Sequence, residues 1–266
     1  MLTFLAVLVA CGPPPTTADP AFVLPAPPAP GTWPQLGSPT AVLPFSPPVD
    51  FGRHRVVIDP GHGNGENTGA RTVNCTDEQD ENLRVALHLA QHLQDTGAFE
   101  VILTRDQPSG PDFAGRKRIA DSSGASVLLS IHADARGSHG WWSPRPGEVC
   151  PRNDDHIGFS VLWSQEGDDA VVAPRRQLAR AVSRRMAQAG LPPYDGEDYD
   201  GLYHHDEVLG SFIDRRGLFI LRRPAIPSVI IETGHALHSE EWARWQEPQT
   251  HEAFAAAVAA ALVDVL

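Results

Sequence analysis

Short aliphatic runs at Val56–Ile58, Val101–Leu103, Ser126–Ile131 and Val229–Ile231 constrain the fold of this chain more than any other feature. Runs without polar alternation belong to strands buried on both faces, as in a parallel sheet covered by helices. The sequence between them has helical spacing. Leu83, Leu87 and Ala90 fall on one face of a helix over Asp80–Thr96, which Gly97 can end. Leu178, Val182 and Met186 recur every four residues in a helix that begins near Pro174 and meets Gly190. Phe254, Val258 and Leu262 do the same over 250–265, and Leu218–Leu221 reads as a further strand. Strands alternating with helices predict a single layered α/β domain with a mostly parallel, twisted sheet flanked by helices. Two stretches break the rhythm: 134–170, rich in Gly and Pro, and 191–213, rich in acids and Tyr. Both are expected to be irregular functional loops.

The first 50 residues lie outside this pattern. They hold 13 of the 25 prolines, no Lys or Arg, and only Asp19 and Asp50 as charges. Residues 1–10, MLTFLAVLVA, run into Cys11, and Leu8-Val9-Ala10-Cys11 resembles a bacterial lipobox, where the leader is cut before a Cys that is then lipidated. The basic residue that usually opens an export leader is missing. On this reading 1–10 is a signal segment, Cys11 carries a lipid anchor to a membrane, and the rest of 11–50 is a Pro-rich tether. Gly12 stands where an acid would retain the anchor in the inner membrane, which favours the outer one. At ~3.1 Å per residue in polyproline II form, the tether reaches on the order of 120 Å. The alternative is docking on the domain through Phe22, Trp33, Leu36 and Phe45.

Charge is therefore concentrated in 51–266, where acids outnumber bases, and the whole chain carries −12. This argues against a nucleic-acid partner, because phosphate contacts need clustered positive charge. No apolar run reaches the ~18 residues of a membrane span.

Three ionisable residues stand at the ends of strand-like runs. His62 lies in Ile58-Asp59-Pro60-Gly61-His62-Gly63, His132 follows Ile131, and Glu232 follows Ile231. Ligands of open α/β sheets bind at the carboxyl edge of the strands, so the three can converge. One His beside a strand is ordinarily a satisfied structural residue; three such placements, one in a tight Pro-Gly-His-Gly turn, favour a site. The start of the first helix adds Asp77, Glu78, Asp80 and Glu81, acids that also suit the positive end of a helix dipole. Spacing does not choose among them.

Taken together, IDPGHG, EQDENL, VILTR, LLSIHAD and IPSVIIETGH resemble the zinc-dependent N-acetylmuramoyl-L-alanine amidases, from about residue 55 to 265 and in that family's order. The resemblance implies a zinc amidase domain over 51–266, one Zn2+ held by His62, Glu78 and His132, and Glu232 as the catalytic glutamate. Glu78 is selected because it lies five residues before Leu83, as the metal-binding Glu does in relatives. The implied substrate is peptidoglycan, cut between the lactyl group of N-acetylmuramic acid and L-alanine of the stem peptide. Two imidazoles and a carboxylate are a common catalytic zinc set that leaves a position for water, whose proton Glu232 could accept. Arg105, Arg116 and Arg222 fall where relatives often carry arginine, Arg222 with a candidate substrate or electrostatic role. The chain departs from the family pattern at Asn64, at Asp134 and at His235, the last a candidate for proton transfer or for a surface role. The same ligand set also serves zinc peptidases of stem peptides, and an amidase-like scaffold can be a non-catalytic wall-binding module. An activator protein is a further partner the resemblance allows, and a periplasm-facing envelope lipoprotein is the expected setting.

With Cys11 assigned to the lipid, Cys75 and Cys150 remain, a pair that an oxidising envelope would join. That disulfide would tie the insertion after His132 to the segment bearing Glu78. Trp141-Trp142 can stack on sugar rings or pin the insertion. His204-His205 is expected in an exposed loop, and the acidic 195–207 stretch to cover the cleft and restrain turnover.

Overall fold

The structure, a computed structural model, describes residues 33–266; the signal-like segment, Cys11 and Phe22 lie outside the described residues. In chain order the elements are β1 (His54–Pro60), α1 (Glu78–Asp95), β2 (Phe99–Leu103), α2 (Phe113–Ser122), β3 (Val127–Asp134), β4 (Gly140–Trp142) and β5 (Cys150–Arg152). They continue with β6 (Ser160–Trp163), α3 (Asp169–Gln188), β7 (Tyr203–His205), β8 (Ser211–Asp214), α4 (Phe219–Arg222), β9 (Ser228–His235), α5 (Ser239–Arg244) and α6 (Pro248–Val263). Seven strands form one sheet in the order β2-β1-β3-β9-β6-β8-β7, and β4 and β5 form a separate hairpin. Strands β2, β1, β3 and β9 are mutually parallel, whereas β6 runs antiparallel to β9 and β7 antiparallel to β8. The sheet is mixed, with a parallel half that carries the site.

The period-two geometry of a strand, with both faces covered, explains why the four runs are apolar at nearly every residue, the serines of Ser126–Ile131 excepted. Val56, Ile58, Val127, Leu129, Ile131, Val229 and Ile231 face one layer, packed with side chains of α1, α3 and α6. Val57, Leu128 and Ile230 face the other, against Ala120 of α2 and Ile220 and Leu221 of α4. Fully burying one such side chain is worth about 1.5–3 kcal/mol, so both faces must be covered.

Several expectations need correction. Helix α1 buries Glu78, Asn82, Val85, Leu89 and Leu93, not the Leu83/Leu87 face, and Leu87 is 39% exposed. The helix begins at Glu78, which turns the carboxylate at its start and the aliphatic stripe below it toward the sheet together. Leu218–Leu221 is not a strand; Phe219–Arg222 forms one helical turn, a run too short for periodicity to settle. The two stretches expected to be irregular contain β4, β5 and β6, and β7 and β8.

The described part of the Pro-rich segment, residues 33–50, docks on the domain. Trp33, Leu43 and Phe45 pack against the α1/α3/α6 core, with Phe45 edge-on to Phe99 at 6.0 Å. Arg244 donates to the carbonyls of Leu36 (2.6 Å) and Ser38 (2.7 Å), and Ala41 N–H to Ala189 O (2.9 Å). Residues 33–50, read from the sequence as tether, therefore pack against the domain. Cys75 and Cys150 form a disulfide with Cα atoms 5.1 Å apart, tying β5 to the loop before α1.

Candidate metal centre and cleft

The loop leaving β1 is held by two arginines reaching in from neighbouring elements. Arg116 of α2, 2% exposed, pairs with Asp59 (2.5 Å) and donates to the carbonyls of Pro60 (2.8 Å) and His62. Asp59 also accepts from Ser130 Oγ (2.7 Å) and Thr104 Oγ1 (2.5 Å). Arg105 donates to the carbonyls of Pro60 (2.9 Å), Gly61 (2.7 Å) and Gln79 (2.8 Å), joining that loop to the start of α1. Burial draws the Arg105 pKa down to about 10, with the Arg116 charge adding to the effect. Both arginines act on the loop, not on the cleft.

Held this way, His62 takes a left-handed backbone (φ +61°), unusual for a residue with a Cβ. Two glycines make room for the side chains around it. A Cβ on Gly61 would stand 2.3 Å from His132 Cε1, and one on Gly69 would stand 2.4 Å from Glu78 Oε2 and 2.7 Å from His62 Cδ2.

His62, Glu78 and His132 converge, offering ligand atoms that all lie within 4.8 Å of one another. Glu78 Oε1 is 3.0 Å from His62 Nε2 and 3.2 Å from His132 Nδ1. Its carboxylate is oriented by Asn82 Nδ2 (3.0 Å) and by Ala70 N–H (2.9 Å). The Nδ1–H of His62 donates to Asn67 Oδ1 (2.8 Å), which fixes the ring and leaves Nε2 directed at Glu78. Burial opposes ionisation of Glu78, yet the hydrogen bonds and charges of His132 and His62 hold it well below the usual carboxylate range. Burial likewise works against a charged His62, but Glu78 and Asn67 raise its pKa above the ordinary value.

Glu232 stands beside His132 because the two are register partners in the β3/β9 pair. Both share the parity of Leu128 and Ile230 and so rise from the α2/α4 face of the sheet. Glu232 is buried, and its Oε2 has no hydrogen-bond partner among the described residues. Burial, then the charges of Asp134 and Glu78, push its pKa well above the ordinary value. The cleft they share is about 480 Å³, and its lining also includes Phe113, Leu218, Phe219, Ile220, Tyr203 and Arg216. It gathers three carboxylates, Glu78, Asp134 and Glu232, against the single guanidinium of Arg216. A two-imidazole, one-carboxylate donor set in such an excess of negative charge fits a divalent cation of zinc's character.

Other candidates lie elsewhere. His235 is 1% exposed, so it has no surface role, and it does not line the cleft. A register shift after His132 pairs Asp134 with His235, whose Nδ1 sits between Asp134 O (3.2 Å) and Arg136 N (3.3 Å). Burial, with Arg136 nearby, pulls its pKa down to about 4. Arg222 ends α4 and pairs with Glu166 (3.4 Å), again away from the cleft. Of the acidic stretch only Tyr203 lines the cleft; Asp195, Glu197 and Asp200 border a separate hollow, so the expected cover is absent among the described residues. His204 and His205 are exposed, but on strand β7. Trp142 pins the insertion through its Nε1–H to Val73 O (2.7 Å), while Trp141 stays 68% exposed. Sequence reasoning missed Arg216, Tyr203 and the Phe113/Phe219 pair. The first two sit in irregular sequence with no periodic signal, and the Phe pair comes together only through packing of α2 on α4.

A mixed α/β sheet with a two-histidine, one-glutamate cluster at the carboxyl edge of its parallel half and a buried glutamate beside it defines the class of domain. The chain belongs to the N-acetylmuramoyl-L-alanine amidase family, which residues 56–264 match. It is 28% identical over 204 residues to a probable N-acetylmuramoyl-L-alanine amidase AmiB of Haemophilus influenzae, covering 70% of this chain and 46% of that one. The chain thus spans about half the length of that curated relative. The AmiC2 amidase of Nostoc punctiforme superposes with a TM-score of 0.56 at 26% identity, over 79% of this chain and 96% of that one. Ami1 of Mycobacterium smegmatis shares the fold with a TM-score of 0.63 at 22% identity, over 80% and 96%.

Proposed function

We propose that this protein hydrolyses the amide bond between the lactyl group of N-acetylmuramic acid and L-alanine in peptidoglycan. The observation that carries the reading is the convergence of His62, Glu78 and His132 in one cleft with a buried, unpartnered Glu232 carboxylate. His62, Glu78 and His132 would hold a zinc ion, which when bound supplies Lewis acidity, polarising an amide carbonyl and easing the ionisation of water. Asn67 and Asn82 keep the imidazole and carboxylate donors oriented toward a common point. Glu232 accepts a proton from the attacking water and returns it to the alanine nitrogen as the C–N bond breaks, leaving a lactyl carboxylate and a free amine. Its burial and its carboxylate neighbours raise its proton affinity, which suits a group that must both take and give a proton in one turnover. Lipidation at Cys11, an envelope location and an activator partner complete the proposal; the docking of residues 33–50 removes them from any spacer to a membrane.

Mass spectrometry of digested sacculi, with and without a chelator, tests the reading. The expected products are free lactyl groups and new L-alanine amino termini, both lost with chelator. New termini inside the stem peptide would instead mark a peptidase, and intact sacculi a binding module.

A further inference from the structure

The cleft contains one feature that neither the ligand set nor Glu232 uses, the guanidinium of Arg216. It is the only cationic side chain other than histidine among the residues lining the cleft, and among the described residues it forms no ion pair within 4.0 Å. Its placement is fixed at both ends. The backbone is turned by Asp214, whose Oδ1 accepts from Arg216 N–H (2.9 Å) and whose Oδ2 accepts from Leu218 N–H (2.7 Å). At the tip, Nη1 donates to Tyr203 Oη (2.9 Å), and Tyr203 is itself buried. One nitrogen of the guanidinium is thereby committed to the protein, while Nε and Nη2 have no acceptor among the described residues. A planar fork with an open edge, facing a cleft, is matched to a carboxylate.

The other ionisable side chains lining the cleft are His62, His132 and the carboxylates Glu78, Asp134 and Glu232, and Asp134 is already paired with Arg136 (3.1 Å), so Arg216 is the group in that lining with a charge to offer an anionic part of a ligand. The apolar side chains of the lining, Phe113, Leu218 and Phe219 among them, offer no charge to do so. We infer that Arg216 is a specificity-determining residue that binds a carboxylate of the substrate's peptide, the one on the residue following the alanine whose amide is cut. This deepens the amidase reading and rests on it. A muramyl peptide with a free carboxylate at that residue is preferred over the same peptide with a carboxamide there.

The test compares two muramyl dipeptides that differ only in that carboxylate or carboxamide, with the full chain and its Arg216→Ala and Arg216→Lys variants. Wild type is expected to favour the carboxylate form by about 10- to 100-fold in kcat/KM, mainly through KM, the range for a hydrogen bond to a charged group. Arg216→Ala loses this preference by falling on the carboxylate substrate alone, and Arg216→Lys keeps part of it because charge remains without the fork. Equal turnover of both substrates by wild type overturns the inference, as does an equal loss on both in Arg216→Ala, which marks a general electrostatic role. If neither peptide is cleaved, the amidase reading fails. Calorimetric binding to Glu232→Gln then decides the inference separately: preference for the carboxylate that disappears with Arg216→Ala supports it, and indifference overturns it.

Discussion

Replacing Arg116 by Ala probes the link between buried electrostatics and the loop that carries His62. Asp59 and Arg116 are each about 3% exposed at the side chain and 2.5 Å apart. The same guanidinium also satisfies the carbonyls of Pro60 and His62. Removing it leaves a carboxylate and two carbonyls buried with fewer partners, and breaking a buried pair from one side costs about 3–5 kcal/mol. Against a total stability of roughly 5–15 kcal/mol this is a large share. For a domain of this size about 1 kcal/mol moves Tm by about 2–4 °C, so the expected drop is about 6–20 °C. His62 also loses the anchor on its carbonyl, and zinc affinity should fall about 10- to 100-fold, the usual effect of removing support behind a ligand. Urea and thermal unfolding under chelator measure the first effect, and competition with a chromogenic chelator the second. Arg116→Lys, retaining charge but not the fork, should fall between. An Arg116→Ala variant that melts within about 2 °C of wild type and binds zinc equally well would refute the reasoning.

Three further outcomes follow from the same geometry. Glu232→Gln should bind zinc like wild type but lose about 10²- to 10⁴-fold in kcat, the range for a general acid–base group; full activity in steady-state assays would remove Glu232 from the reaction. Joint replacement of Cys75 and Cys150 by Ser should cost about 2–4 kcal/mol in chelator-treated urea melts, and wild type without reductant should show neither thiol reactive to alkylation. His251, drawn down to about 4 by burial and by the Arg84 charge, is neutral in the fold while its unfolded value is near 6.5. The unfolded chain therefore binds more protons between these values, so stability is held above about 6.5 and lost as pH falls toward about 4. His251→Gln should flatten that slope, and an unchanged slope in pH-dependent melts would contradict it.

What could be read from the residues, and what could not, divides along physical lines. The parallel half of the sheet was legible because β1, β3 and β9 are buried on both faces and, with the half-buried edge strand β2, read as short aliphatic runs. His62, His132 and Glu232 were legible as a group because each lies at the end of such a run, His62 in the turn after it, and period two carries His132 and Glu232 to the same face. Glu78 was not separable from its acidic neighbours by spacing and rested on family resemblance; the structure distinguishes it by its approach to both imidazoles. The far half of the sheet was missed because β6, β7 and β8 are three or four residues long, too short for periodicity, and interrupted by Gly and Pro. The interior place of His235 follows from a register shift in β3/β9 that no residue pattern announces. Docking of the Pro-rich segment depends on Trp33, Leu43 and Phe45 finding a groove, which composition does not reveal.

Zinc content per chain is the most direct measurement of the central claim. The protein, stripped and then saturated with zinc before gel filtration, should carry one ion per chain by elemental analysis. The Glu232→Gln variant should carry the same, while His62→Ala, Glu78→Gln and His132→Ala should each lose most of it although their circular dichroism remains that of the folded chain. Wild type that elutes free of zinc, or ligand variants that retain a full equivalent, would contradict the account.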